Sequence, residues 1–298
     1  MDNNLEVVTE EIIRKKLRYF LKAENLYKNG KYKEAAEMYK FSAIPDDART
    51  LYNWGVVFLH GIDGKKYTEL ALKYFNDAVD KGDEYAKGTL AYLYYSGELG
   101  KIDYQKAYHY AKLAAEDYDA CGQFVLGILY FNGYYVEKNY NRAYECFEKV
   151  LECLYDTNNV KKDTYYILGR MNYWGQGKEK DFPLAREYFE RYLNKDGEKK
   201  RDAEVFQYLG NIYLKGSNGL EDYRKAYDYF NYSEKLEEDD ENEFWIGILI
   251  YAGFGDSTLH EDEADKWLKK SKENGNVTAE ECLNDEKTKM KFVNKFIE

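Results

Sequence analysis

The chain has 298 residues, 44% of them hydrophobic and 33% charged, with a formal net charge of −11. That balance allows a sizeable core under a well-solvated surface, and it argues against non-specific nucleic-acid binding, which needs clustered Lys and Arg. Only Pro45 and Pro183 interrupt the chain, and β-branched runs are few, so helix is expected throughout.

The N-terminal stretch "MDNNLEVVTEEIIRKKLRYF" lacks a basic region followed by an apolar one, so no signal peptide is expected. The cysteines, Cys121, Cys146, Cys153 and Cys282, have no CxxC spacing. They are expected to be buried free thiols in a reducing, cytoplasmic compartment rather than a disulfide framework or a zinc site. The longest uncharged run, Cys121 to Val136, falls short of the ~20 residues of a membrane span and is expected to be a buried helix. The sequons at Asn231 and Asn276 are expected to be chance occurrences.

Along the chain, an N-terminal hairpin comes first, in which "NGKYKEAAEMY" puts Ala35 twelve residues after Ala23. From residue 46 onward one pattern recurs. Small residues six apart occur at Gly55/Gly61, Ala91/Gly97, Gly127/Gly133, Gly169/Gly175, Gly210/Gly216 and Gly247/Gly253. An alanine follows the first small residue by sixteen positions at Ala71, Ala107, Ala143, Ala185 and Ala226, and by seventeen at Ala264. Four residues beyond it stand Phe75, Ala111, Phe147, Phe189, Phe230 and Leu268. The copies are 36, 36, 42, 41 and 37 residues apart, and internal repeats of this length make a solenoid.

Each copy reads as two helices. Apolar residues flank the first small position at −1 and +2, as Leu126 and Leu129 do around Gly127, on one helix face. Glycine within a helix costs roughly 1 kcal/mol against alanine, so its recurrence predicts a helix crossing where the partner's Ala and aromatic come close. The second glycine is expected to end the first helix in a left-handed conformation. By the same reasoning Asn132-Gly133 marks a helix end, not a hairpin of strands. The final stretch from "TAEECL" onward reads as a polar capping helix.

"FQYLGNIY", Phe206 to Tyr213, resembles the first helix of a tetratricopeptide, and so does the N-terminal hairpin. The sixteen-residue Gly-to-Ala distance is longer than a tetratricopeptide's. With loops such as "GQGKEKDFPLA" and an acidic or Tyr residue ahead of Lys/Arg-Ala, residues 46–275 resemble the Sel-one-like repeat family. The resemblance implies an all-α, right-handed superhelix of about seven helical hairpins. These comprise a tetratricopeptide-like hairpin over residues 1–45 and six Sel-one-like repeats over 46–275, closed by a capping helix over 276–298. It also implies a non-catalytic scaffold or adaptor. The sequence departs from the family pattern in keeping the Ala-Ala pair that ends the second helix only at Ala114-Ala115.

No catalytic constellation stands out. His60, His109 and His260 are scattered, and "HEDEADKW" lacks the second histidine of a metal helix. No metal and no cofactor are expected. The acidic run Glu234 to Glu243 is either a solvated connector or a contact for a basic partner. Stacking the first helices side by side is expected to put positions −3, +1, +4 and +5 from the first small residue on a concave surface. The candidate partner-binding residues there are Tyr52, Tyr92, Tyr95, Phe124, Asn132, Tyr166, Arg170, Tyr173, Trp174, Gln207, Asn211 and Phe244. They either hold a protein or peptide segment or pack between helices, since tyrosine is abundant in the chain. The alternative function is a dedicated inhibitor or regulatory, immunity-like subunit that masks one basic protein.

Overall fold

The computed structural model describes residues 10–42, 47–60, 66–153, 159–194, 202–216, 221–255 and 261–297. The chain forms two compact units, Met1–Thr164 and Tyr165–Glu298. Among the described residues all regular structure is helical.

The first unit holds α1 (Glu10–Lys28), α2 (Tyr32–Ser42), α3 (Ala48–His60), α4 (Thr68–Asp80), α5 (Ala86–Ser96), α6 (Tyr104–Glu116), α7 (Ala120–Asn132), α8 (Tyr140–Glu152) and the start of α9 (Val160–Trp174). The second holds the rest of α9, then α10 (Phe182–Asn194), α11 (Ala203–Lys215), α12 (Tyr223–Glu234), α13 (Asp240–Tyr251), α14 (Glu261–Glu273), α15 (Val277–Asn284) and α16 (Glu286–Val293). Neighbours in sequence pack as pairs, α1 on α2, α3 on α4, α5 on α6, α7 on α8, α11 on α12 and α13 on α14. This is the all-α solenoid architecture that the repeat predicts. The N-terminal pair buries Ala23 and Ala35 completely.

The crossing glycines have the expected role. A Cβ built on Gly55, Gly127, Gly169 or Gly210 would lie 2.6–2.7 Å from the ring of Phe75, Phe147, Phe189 or Phe230. In the copy with Ala91 the aromatic position is Ala111, and both are fully buried. The second glycines Gly97, Gly133, Gly175 and Gly253 have φ between 72° and 83°, as expected. Gly216 departs from the expectation, ending α11 with φ −59° and ψ 140°. Gly61 lies outside the described residues.

A marker not read from the sequence starts the first helices. Eight residues before the first small residue stands an aspartate: Asp47, Asp83, Asp119, Asp202 or Asp239. Their carboxylates accept from the N–H groups of Thr50, Ala86, Gly122, Val205 and Asn242 at 2.7–3.3 Å. Each such cap satisfies an orphan donor of the first turn. In the fourth copy the position is Lys161, whose ammonium instead donates to the Leu151 and Cys153 carbonyls at the end of α8.

The second helices are tied to their partners in the same way. Asp103, Asn139, Asp181 and Asp222 cap α6, α8, α10 and α12 with their side chains. Their own N–H groups donate to the carbonyls of Tyr94, Tyr130, Asn172 and Tyr213 at 2.9–3.0 Å. Near-parallel ring pairs then join the two helices of a hairpin: Phe58/Tyr74, Tyr94/Tyr110 and Tyr213/Tyr229, with centroids 5.4–5.8 Å apart. The basic residue before the motif alanine lies over the first-helix ring, Lys106 on Tyr94, Arg142 on Tyr130 and Lys225 on Tyr213, a cation–π contact. Part of the chain's tyrosine excess is thus architectural.

The capping stretch is two helices rather than one. Asp285 ends α15 and caps α16 by accepting from the Lys287 and Thr288 N–H groups. Phe292 of α16 then packs edge-on against Phe244 (5.3 Å) and Trp245 (6.2 Å) of α13.

Candidate partner-binding face

The first-helix faces carry the candidate residues, and each unit has its own set. In the first unit Tyr92 and Tyr95 are half-buried and meet edge to face at 6.2 Å. Tyr52 is engaged elsewhere. Its hydroxyl lies 3.3 Å from Thr89 Oγ1, its ring packs on Phe75 and Tyr85, and burial pushes its hydroxyl up to about 12. Asn132 is exposed, with its amide donating to the Ile128 carbonyl one turn back.

The second unit brings four candidates into one network. The Tyr166 hydroxyl donates to Glu204 Oε2 at 2.5 Å, and the Tyr208 hydroxyl donates to Glu204 Oε1 at 3.2 Å. The indole N–H of Trp174 donates to the Tyr208 hydroxyl at 3.4 Å. Tyr173 sits edge-on to both Trp174 (4.9 Å) and Tyr208 (4.8 Å), and Arg170 lies over the Tyr166 ring at 5.5 Å. Burial and the hydrogen bond to Glu204 raise the Tyr166 hydroxyl above its ordinary range, while burial pushes Tyr173 up to about 12. Trp174 is nevertheless 52% exposed, so the network holds a large ring in one orientation while most of the cluster is covered.

Three candidates are not surface residues. Phe124, Phe244 and Asn211 keep only 5%, 3% and 8% of their area. Phe124 packs on Phe147, and Phe244 on Phe292 and Trp245. The reason is geometric. A first helix in a stack is flanked by its neighbours, so the outward strip is narrower than four positions. The position most often open is +5, where His60, Asn132, Trp174 and Lys215 are exposed while Ser96 and Ala252 are half-buried. Gln207 is half-buried and donates to Asp239 Oδ1 at 3.0 Å.

Glu204 and Tyr208, six and two residues before Gly210, belong to the site but were missed from sequence. Tyr208 read as part of the tetratricopeptide-like pattern, and only their i, i+4 spacing on α11 signalled a shared face.

The acidic run is largely structural. Glu243 is fully buried and Glu234 nearly so. Lys270 bridges them at 2.9 and 2.7 Å and also meets Glu238 at 3.1 Å. The Asn274 amide donates to both oxygens of Glu243, and Asp239 caps α13. His60 stacks on Tyr32 at 5.4 Å, and His260 lies outside the described residues. Among the described residues no group of three His, Cys, Asp or Glu side chains could hold a metal ion, and no helix is long and apolar enough to cross a membrane. Both sequon asparagines are occupied within the fold, Asn231 with the Tyr227 carbonyl and Asn276 with the Asp240 carbonyl.

Solved structures share the architecture. The antigen c5321 of uropathogenic Escherichia coli, described as a protective antigen displaying an SLR fold, superposes with a TM-score of 0.66 at 21% identity over 89% of this chain. This chain spans only 55% of that antigen. A Sel1 repeat protein from Oxalobacter formigenes superposes with a TM-score of 0.59 at 23% identity, covering 86% of this chain and 99% of its own. No curated protein matches the sequence. The family model described as Sel1 repeat matches residues 48–83, 89–119, 122–150, 163–191 and 207–235. These are five of the six copies, and the α13/α14 pair carries the sixth set of markers. With more than half its residues matched, and with the capped, glycine-crossed hairpins seen here, the chain belongs to the Sel1 repeat family, whose members are in general non-catalytic protein-interaction scaffolds.

Proposed function

We propose that this protein is an adaptor that holds a partner protein or peptide segment on its first-helix face, with Trp174 as the central anchor. The observation that carries this reading is the half-exposed indole, fixed by Tyr208, which is fixed in turn through Glu204. A preorganised aromatic loses little entropy when it is covered, and Trp is among the commonest binding hot spots. Tyr173 packs edge-on to it, Tyr166 adjoins it through Glu204 and Arg170 through the Tyr166 ring, and Tyr92, Tyr95 and Asn132 are the corresponding contacts of the first unit.

The test is quantitative affinity capture from native lysate with the wild-type chain and a Tyr92→Ala, Tyr166→Ala, Trp174→Ala variant shown by circular dichroism to fold. The expected result is a captured protein lost from the variant. Identical capture by both would sink the reading.

A second reading, a subunit that masks one basic protein, is favoured by the net charge of −11. It is also favoured by a cleft of about 720 Å³ in the first unit whose walls include Glu84, Glu116, Asp117, Asp119 and Glu152. Under that reading association is fast and falls steeply with salt. An association rate unchanged between 50 and 500 mM salt, over which the screening length falls about threefold, would exclude it.

A further inference from the structure

The aspartates that cap the first helices take a side-chain donor besides their backbone N–H groups, with one exception among the described residues. Asp47 accepts from the Thr50 hydroxyl at 2.5 Å, Asp83 from Arg49 Nε at 2.8 Å, Asp202 from the Tyr192 hydroxyl at 2.8 Å and Asp239 from Gln207 Nε2 at 3.0 Å. Asp119 accepts only from the N–H groups of Gly122 and Cys121.

The Asp83 contact shows what Asp119 lacks. Asp83 Oδ1 takes the Tyr85 and Ala86 N–H groups, which leaves Oδ2 for the guanidinium. Arg49 also reaches Glu84 Oε1 at 3.1 Å and lies over the Tyr85 ring at 4.2 Å. It stands six residues before Gly55, and the matching residue of the next copy, six before Ala91, is Tyr85. At that register the chain has no arginine to offer Asp119. Burial pushes the Asp119 carboxyl up to about 6, without the offset that Arg49 supplies at Asp83.

Asp119 lines the cleft of about 720 Å³ at the ends of α6 and α8. Gln123, 6% exposed, adds a second open acceptor to its wall. The Gln123 Nε2 donates to the Ala115 carbonyl at 3.3 Å, while its Oε1 meets no donor among the described residues. Of the other wall carboxylates, Glu84 is bonded to Arg49 and Asp117 to Lys87. Glu116, Asp119 and Glu152 have no ion pair among the described residues, and Lys149 is the one cation in the walls. Lys161, near the end of α8, is committed to the Leu151 and Cys153 carbonyls. Tyr118 supplies an open ring. It has φ +59° where the preceding copy has Gly82 at φ +83°, is 85% exposed, and is in no ring pair among the described residues.

We infer that this cleft, on the reading that the protein masks a basic partner, takes one arginine side chain of that partner. The guanidinium donates to the Asp119 carboxylate and to Gln123 Oε1, and its flat face lies against the Tyr118 ring, as Arg49 lies over Tyr85. Lysine suits the site less, because a point charge neither forks across two acceptors nor stacks on a ring. The partner is then told apart from other basic proteins by one arginine in an exposed segment, not by its overall charge.

The test pans a phage-displayed library of random dodecapeptides on the full-length chain, with counter-selection on Asp119→Asn, which keeps a capping oxygen and is first shown by thermal melting to fold. Enriched peptides are expected to share an arginine. As synthetic peptides they should bind the wild type about tenfold or more tighter than Asp119→Asn, and lose about tenfold or more when that arginine becomes lysine. Tyr118→Gly, which relaxes the backbone at that residue, should weaken them about threefold or more. Equal affinity of the arginine and lysine peptides, or peptides indifferent to either variant, would overturn the inference and leave the masking reading standing, because net charge would then suffice. An absence of enriched peptides would overturn it too, and the salt dependence of association would then decide the masking reading by itself.

Discussion

The α5/α6 and α7/α8 hairpins solve the same packing problem with opposite means. In α7/α8 the crossing is a glycine against a phenylalanine, with only 2.6 Å between a built Cβ and the Phe147 ring. In α5/α6 it is Ala91 against Ala111, both with no exposed area. The volume at the crossing is what the repeat keeps, and the side-chain identities trade off around it. A glycine at the crossing is tolerated where the partner's side chain takes up the space it leaves, a ring in α7/α8 and Leu268 beside Gly247.

The sharpest way to break that comparison is to convert one crossing into the other. Phe147→Ala should cost about 3–5 kcal/mol, and Gly127→Ala about 2 kcal/mol through overpacking. The double variant, which has the Ala/Ala composition of α5/α6, should be less destabilised than the sum of the two. Urea denaturation with hydrogen exchange on α7 and α8 measures this. Strict additivity would mean that the two positions do not share a volume.

The turn between the two hairpins offers the next test. Burial pushes the Asp119 carboxyl up to about 6, partly offset by the hydrogen bonds it accepts from the Gly122 and Cys121 N–H groups. A folded-state value raised above the unfolded one means that this group's stability contribution is complete below about pH 4 and lost as pH rises through 6. Asp119→Asn keeps a capping oxygen and removes the charge. It should leave stability unchanged near pH 4 and gain on the order of 2 kcal/mol at pH 7. Thermal melts of both proteins from pH 4 to 7 would show the gap opening with pH. A gap that closes instead would mean that the carboxylate is stabilised. Gly88 faces this carboxylate so closely that a built Cβ would stand 2.0 Å from Asp119 Oδ1, so Gly88→Ala should lower stability in either protein.

The helix ends extend the comparison with a smaller effect. Gly175→Ala forces an alanine into φ +72° and should cost about 1 kcal/mol. Gly216→Ala, at φ −59°, should change stability by less than about 0.5 kcal/mol. Equal losses in chemical denaturation would show that the two ends are stabilised by something other than backbone conformation. Trp174→Ala, which removes half-exposed area, is likewise expected to shift stability by under about 1 kcal/mol. The same variant should abolish partner capture, so stability and binding separate at that residue.

Much of the fold was legible because its causes are local and repeated. The glycine, the alanine sixteen residues on and the aromatic beyond it recur in register, and the contact they predict is the one found. The aspartate eight residues before five of the six crossings was equally present and went unread, because a cap is a single residue in a polar turn and stands out only once the helix start is known. The capping stretch was read as one helix because Asp285 resembles an ordinary surface residue until its side chain is seen to cap a second helix.

The site was less legible. Four tyrosines and tryptophans in α9 have the same helical spacing whether they are buried or exposed. Phe124 and Phe244 share a register position with Tyr166, yet they belong to the core. Tyr118 and Tyr135, with φ of 59° and 63°, stand where other copies carry glycine. That substitution can be seen in an alignment of the chain with itself, but its meaning depends on backbone angles.

By itself, then, the sequence determined the repeat, the helix pairing and the family. These follow from periodic apolar positions and from where glycine is tolerated, both properties of a residue and its near neighbours. Tertiary structure alone decided which aromatics face outward, that Glu234 and Glu243 turn inward to Lys270, and that Trp174 is held by Tyr208. Each of these depends on how far the adjacent helices stand from one another and on which side chains reach across first, and a one-dimensional pattern does not carry that distance.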